Sequence, residues 1–181
     1  MSGVSAENFS PRWPSGARPT LPRLGDERET LTAFLDWYRV TFELKCTGVG
    51  PDQLSEKSVP PSTMSLHGLI RHLAGVERWW FRQQFAGEEL PLLYYSDDNP
   101  NEDFDVLDGD PAEAMKVWRH ECAHSREIVA ATDSLDETGT EIPSGEPISL
   151  RRILVAMIGE YAQHLGHADL LRERIDGATG Y

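Results

Sequence analysis

Three polar side chains near the end of the chain have the residue types and the spacing of metal ligands. Glu160 and His164 are four residues apart, and His167 follows three residues later. On an α-helix, residues three and four apart lie on the same face, so these side chains would be neighbours. Carboxylate oxygens and imidazole nitrogens bind first-row divalent metals. The spacing therefore predicts a shared polar site on one helix.

This polar group falls at the edge of an apolar stripe, where a bundle helix ordinarily carries leucine. Met157 and Leu171 mark that stripe, one turn from Glu160 and His164. A buried, unpaired carboxylate costs several kcal/mol or more, so a partner must compensate its charge. A divalent metal ion would do this, and so would a hydrogen-bond network without metal. The pattern alone leaves both interpretations open.

The other histidines are sorted by the helix face on which they fall. His72 lies on the flank of an earlier apolar stripe, from which it can face the interior and supply a third ligand. His67 falls on the opposite flank, and we expect it at the surface or behind the ligands. His120 and His124 are also four apart, but they point away from their helix's apolar side, which predicts solvent exposure rather than a metal site.

Other catalytic patterns are missing from the sequence. It contains no glycine-rich phosphate loop, no GxSxG sequence and no zinc-finger spacing. Cys46 and Cys122 lie outside any CxxC pattern, and no neighbouring motif indicates an activated thiol. The polar group on the last helix is therefore the main candidate for chemistry.

Helical periodicity predicts the elements that would position these residues. Four amphipathic segments have apolar residues at helical spacing, which indicates an all-α four-helix bundle. Ser65 or Thr63 would cap the second segment, Asp110 would cap the third, and Gly177 would end the fourth. The predicted segments are 26–45, 65–85, 111–131 and 149–175.

The connections also carry information. Residues 87–110 form an acidic, aromatic connection that is longer than a compact bundle needs, and such loops are often functional. The polar loop before the fourth helix contains Pro143, Gly145 and Pro147 and is expected to hold a short hairpin. Residues 1–24 are predicted to form an extended arm, and residues 25–181 to form the helical domain.

Composition limits the class of partner. The 181 residues carry a net charge of -13, from 30 acidic and 17 basic residues, which disfavours nucleic acid and anionic membranes. Two cysteines are too few for a disulfide scaffold, and no apolar run has the length of a membrane span. We therefore expect a cytoplasmic protein, and we expect it to be a monomer or a homodimer.

Two stretches resemble the DinB-like superfamily, and within it the mini-circle protein branch, a domain of unknown function. They are SLHGLIRHLAGVERWWF at 65–81 and SLRRILVAMIGEYAQHLGHADLLRERIDG at 149–177, in which the segment from Glu160 onward is specific to that branch. The resemblance covers about residues 24–181. It implies a four-helix bundle with up-down-down-up connectivity.

The resemblance also implies a ligand set. The superfamily's metal site uses one histidine on the second helix and two ligands four apart on the fourth, which corresponds here to His72, Glu160 and His164. Many members have histidine where this chain has Glu160, but mycothiol-dependent maleylpyruvate isomerase, a relative, has a similar His, Glu, His set. His167 matches a position that is often glutamine, which implies a place behind the ligands.

Relatives of known activity use low-molecular-weight thiols such as mycothiol in S-transfer or isomerisation. The resemblance thus implies a metal-dependent thiol S-transferase or isomerase that acts on a small-molecule substrate with a thiol cofactor. Zinc is the first candidate metal, and nickel or iron are also open. A non-catalytic metal-binding or stress-response module is the alternative. A metal-free helical interaction module with a buried polar network is the third hypothesis.

Overall fold

The computed structural model describes residues 18–179, and this part of the chain is mainly α-helical. The predicted all-α class is confirmed. Helix α3 continues without a break into a π-helical segment, Arg78–Phe85, so the second predicted helix changes its winding midway. The helices are α1 (Glu27–Cys46), α2 (Pro51–Ser55), α3 (Leu66–Glu77), α4 (Glu102–Asp105), α5 (Pro111–Ala131) and α6 (Leu150–Asp176), and the strands are β1 (Thr138–Thr140) and β2 (Pro147–Ser149).

The long helices begin and end at residues with capping chemistry. The Ser65 side chain accepts a hydrogen bond from the Gly68 amide at the start of α3, and Asp110 accepts from the Ala112 amide at the start of α5. Gly177 adopts a left-handed conformation with φ 71° and ends α6. These local signals explain why the predicted helix bounds agree with the structure to within about two residues.

The long helices pack in pairs around a single apolar core. Helix α1 lies along α6, and α3 lies along α5 and also contacts α6. Phe42, Trp118 and Tyr161 are fully buried where these helices meet. This packing places α3 beside α6, which carry the predicted ligands. The up-down-down-up connectivity stays a prediction.

A buried ion pair fixes the relative positions of the helices. Arg39 of α1 donates from Nε and Nη2 to the two oxygens of Glu77 of α3, at 2.8 and 2.7 Å. Ser125 of α5 and Tyr161 of α6 donate to the same carboxylate at 2.6 and 2.7 Å. Because Glu77 thus has partners on three other helices, its burial is compensated.

The connecting segments agree with the sequence prediction at the hairpin and differ from it at two short helices. The predicted hairpin is confirmed, since β1 and β2 pair antiparallel. The short helices α2 and α4 were not predicted. The predicted arm at 1–24 lies largely outside the described residues, and 18–24 contain no helix or strand. Among the described residues, no helix combines the length and apolarity needed to cross a membrane.

Candidate metal centre

The three predicted ligands lie together between α3 and α6. Nε2 of His72 is 3.0 Å from Oε1 of Glu160, and Nε2 of His164 is 3.1 Å from the same oxygen. One ligand atom from each of these residues lies within 4.8 Å of the other two. His164 is buried, whereas His72 and Glu160 are partly exposed. The cluster therefore lies at the edge of the bundle, within reach of a small molecule.

Asp103 is part of this cluster, although the sequence did not single it out. Its Oδ2 accepts from Nδ1 of His72 at 2.7 Å, and its Oδ1 is enclosed without a partner among the described residues. A carboxylate that holds the outer nitrogen of a histidine fixes the ring orientation and the tautomer. Asp103 thus leaves Nε2 of His72 directed at Glu160.

Helix α4 carries Asp103 and packs closely against the first turn of α3. A Cβ atom added at Gly68 would lie 3.1 Å from Cδ1 of Phe104 and 3.3 Å from its Cα. The Phe104 ring covers the imidazoles of His72 and His164, with centroid separations of 4.9 and 6.4 Å. Glycine at position 68 therefore permits the approach that brings a carboxylate and an aromatic shield to the ligands.

His167 contacts His164, the buried member of the cluster, from the outer side. Its Nδ1 is 3.3 Å from Nδ1 of His164. Burial, and then the nearby His164, lower the pKa of His167, which favours a neutral ring able to accept a hydrogen bond from His164. His167 can thereby hold His164 in the tautomer that has its proton on Nδ1, which leaves the Nε2 lone pair directed at Glu160. The supporting role predicted for His167 from the sequence stays a prediction.

The charges of the cluster are strongly coupled. Burial alone would lower the pKa of His72, but hydrogen bonds with Asp103 and Glu160 outweigh it and raise the pKa to about 9. Hydrogen bonds with His164 and His72 hold the pKa of Glu160 well below its usual range, although burial opposes them. A proton on Nε2 of His72 and a metal cation are thus alternative ways to balance the Glu160 carboxylate.

The residues present fit a divalent metal ion. Ligand atoms about 2.0–2.2 Å from a tetrahedral zinc ion lie roughly 3.3–3.6 Å from one another, and the two separations from Glu160, 3.0 and 3.1 Å, are slightly shorter. Two histidines and one carboxylate are a donor set suited to zinc, nickel or iron. Three protein ligands also leave one tetrahedral position open for a substrate atom.

The remaining histidines lie away from this cluster. His67 is only 1% exposed and contacts Oγ of Ser55 through Nδ1 at 3.1 Å, so the expected surface or outer position was wrong. Helix α2 covers the flank of α3 on which the helical periodicity had placed His67. His120 and His124 lie 3.0 Å apart (Nε2 to Nε2) on the exposed side of α5, as predicted.

Neither cysteine belongs to the cluster. Cys46 and Cys122 are free and buried, and burial raises the pKa of both thiols. Cys122 lies within the polar network of Glu77, to which its Sγ donates at 3.5 Å. A nucleophilic sulfur at the cluster would therefore have to come from a bound molecule.

Comparison with known proteins gives a family match and a likeness in fold. Residues 30–177 match the profile of a family described as mycothiol-S-transferase. The crystal structure of a conserved protein from Enterococcus faecalis is similar, with a TM-score of 0.61 and 16% sequence identity over 85% of this chain and 99% of that chain. At this identity the likeness concerns the fold alone. Comparison with curated proteins gave no match.

Proposed function

The chain belongs to the mycothiol-S-transferase family, a DinB-like family, and from this premise we propose that it is a divalent-metal-dependent enzyme of thiol chemistry. His72, Glu160 and His164 would hold the metal, with zinc the first candidate and nickel or iron the others. The second substrate would be a small electrophile, and the reaction would be S-transfer or isomerisation.

The convergence of two imidazole nitrogens on one carboxylate oxygen supports this proposal most directly. When bound there, a divalent metal lowers the pKa of a coordinated thiol and so provides a thiolate nucleophile. A mycothiol-like cofactor would supply that thiol, because Cys46 and Cys122 are buried and directed elsewhere.

The surrounding residues have definable tasks in this scheme. Asp103 and His167 orient the two imidazole ligands through their outer nitrogens. Phe104 excludes water from one side of His72 and His164, which strengthens electrostatic interactions in the site. In S-transfer, the thiolate sulfur forms a bond to the electrophilic carbon while the leaving group departs with its electron pair, and the thiol proton passes to solvent.

As part of the proposal, we place the chain in the mini-circle branch of the DinB-like proteins. Two features favour this branch: Glu160, where many DinB-like proteins have histidine, and the segment that follows it. A non-catalytic metal-binding module would have the same ligands but no turnover. The cytoplasmic location and the monomeric or dimeric state expected from the sequence also remain predictions.

A metal-free polar network is the competing candidate, because separations of 3.0 and 3.1 Å are also ordinary hydrogen-bond lengths. In that case His72 carries a proton on Nε2, and the cluster serves only to join α3 to α6. Measuring the metal content of the purified protein distinguishes this candidate from a metal site.

A thiol-transfer assay tests the catalytic claim. The zinc-loaded protein is mixed with mycothiol and 1-chloro-2,4-dinitrobenzene, and formation of the thioether is followed by absorbance. We expect turnover that falls about 100-fold or more in His164→Ala and is unchanged in His120→Ala, since His120 is exposed and far from the cluster. Equal rates in both variants, or thioether formation no faster than without protein, would contradict the enzyme assignment.

A further inference from the structure

Arg71 is a buried arginine next to the proposed metal centre. Its side chain is only 3% exposed, yet its acidic partner Asp108 is 79% exposed. Nη1 donates to the carbonyl and to Oδ1 of Asp108 at 2.9 and 2.6 Å, and the guanidinium lies 4.6 Å from the centroid of the Tyr94 ring. The protein thus holds a buried cation whose counter-ion is exposed to solvent.

One edge of this guanidinium has no partner in the described part of the chain. Nε is enclosed without an acceptor, and Nη2 donates to no described residue. The Nε and Nη2 edge is the fork that matches a carboxylate. The same edge is occupied by one carboxylate in six other arginines, in the pairs Arg39–Glu77, Arg78–Glu121, Arg82–Glu88, Arg119–Glu43, Arg151–Glu27 and Arg172–Asp176.

Arg71 lines a cavity of about 410 Å³ beneath the connection between α3 and α5. The other lining residues are Tyr94, Tyr95, Glu102, Asp108 and Gly109. Neither tyrosine hydroxyl bonds to a described residue, and burial raises the pKa of both, so both remain protonated donors at neutral pH. The cavity therefore offers unused donors next to an unused guanidinium edge.

Tyr94 is held in a costly backbone conformation at this cavity. Its φ of 67° is in the left-handed region, which a bulky residue seldom adopts. Such positions concentrate at ligand sites, where the surrounding structure enforces them. Here the conformation accompanies the placement of the ring against the Arg71 guanidinium.

The cavity lies next to the proposed metal centre along the chain. Arg71 directly precedes His72 on α3, and Glu102 directly precedes Asp103, which holds His72. None of His72, Glu160 and His164 lines the cavity, so the two sites are neighbours along α3 and α4.

We propose that this cavity is a carboxylate subsite beside the proposed metal centre, in which the Nε and Nη2 edge of Arg71 binds the carboxylate of the electrophilic substrate. The electrophilic nature of the bound molecule rests on the proposed function, whereas carboxylate binding does not. Asp108 and Glu102 also line the cavity, and their negative charge selects a singly charged carboxylate over a more highly charged anion such as phosphate.

An NMR titration tests the subsite without the reaction. Benzoate is added to ¹⁵N-labelled protein, once loaded with zinc and once stripped of metal, and inorganic phosphate is added to parallel samples. We expect benzoate to shift the amide signals of Tyr94, Tyr95 and Gly109 in both forms, and phosphate to bind at least about tenfold more weakly. Shifts confined to the surroundings of Glu160, or stronger binding of phosphate, would overturn the proposal.

Two variants and a control identify Arg71 as the binding group. Arg71→Lys keeps the charge but removes the fork, and we expect benzoate to bind about tenfold more weakly. Asp108→Asn alters an exposed side chain and removes a repelling charge, so binding should tighten about threefold even if Arg71→Lys fails to fold. Arg152→Lys, at an exposed position of α6, should bind as wild type does. Unchanged binding in Asp108→Asn, or in a folded Arg71→Lys, would contradict the proposal.

The two proposals fail in different ways. If the protein holds no metal and transfers no thiol, benzoate should still bind the metal-stripped form at Arg71, and the proposed function alone is wrong. If turnover depends on His164 but benzoate leaves Tyr94 and Gly109 unaffected, the carboxylate subsite alone is wrong.

Discussion

Nδ1 of His72 donates to the Asp103 carboxylate at 2.7 Å, and this single contact determines which nitrogen of the imidazole faces Glu160. The donor and the acceptor come from different elements, α3 and the short helix α4. The orientation of one proposed ligand therefore depends on how a loop helix packs on the bundle, and not only on the bundle itself.

Removing this carboxylate should weaken metal binding without removing a ligand. We expect Asp103→Ala to lower the affinity for zinc about 10–100-fold, since outer-shell partners of metal-binding histidines contribute on that scale. Competition with a chromophoric chelator measures the change. Asp105→Ala, at an exposed position of the same helix, is the matched control. Equal affinities in the two variants would show that Asp103 does not orient a ligand.

The close contact at Gly68 gives a second prediction. Gly68→Ala should displace α4, because the new Cβ would lie 3.1–3.3 Å from Phe104 and cannot be accommodated without a shift. Zinc affinity should fall, and the chelator competition measures it. Gly166→Ala is the control, since a Cβ there meets nothing within 4 Å and a glycine-to-alanine change in a helix raises stability by about 1 kcal/mol. Zinc affinity that is unaffected in Gly68→Ala would contradict the role given to α4.

The two helices that carry the predicted ligands were predictable because the sequence features that define a helix, its capping residues and its apolar stripe, are local. Ser65 and Gly177 mark the start of α3 and the end of α6, and the apolar stripes between them extend over several turns. The spacing of Glu160 and His164 follows from the helix alone. These features do not depend on what packs against them.

The outer residues of the site were not predictable in the same way. Asp103 is one acidic residue in an acidic stretch, and what distinguishes it is the approach of α4 to Gly68, a tertiary contact. A four-residue helix also has too little periodicity to be recognised. His67 was misplaced for a related reason, because helical periodicity gives an angle around α3 but does not reveal that α2 covers that side.

The buried pair of Arg39 and Glu77 gives a prediction for stability. Glu77→Gln removes the buried counter-charge of Arg39, which then keeps only the partly exposed Asp36, and this should lower the free energy of unfolding by about 3–5 kcal/mol in urea denaturation. Glu43→Gln breaks the more exposed pair with Arg119 and should cost at most about 1 kcal/mol. A similar small loss in both variants would mean that the Glu77 network does not hold the helices together.

Metal uptake should release a proton from His72. The pKa of about 9 means that the metal-free site is mostly protonated at pH 7, so a metal ion must displace that proton. Affinity for zinc should therefore rise with pH between about 6 and 9, by about tenfold per pH unit for one displaced proton. Calorimetry in buffers of different ionisation enthalpy counts the protons. Uptake without proton release, or affinity that falls over this range, would contradict the proposed ligation by Nε2 of His72.

The metal content of the purified protein decides whether His72, Glu160 and His164 hold a metal ion. Protein dialysed against zinc and then against metal-free buffer is analysed by elemental mass spectrometry, for wild type, Glu160→Ala and His120→Ala. We expect about one zinc ion per chain in wild type and in His120→Ala, and little or none in Glu160→Ala. Wild-type protein without stoichiometric metal, or full metal content in Glu160→Ala, would contradict the proposed metal site.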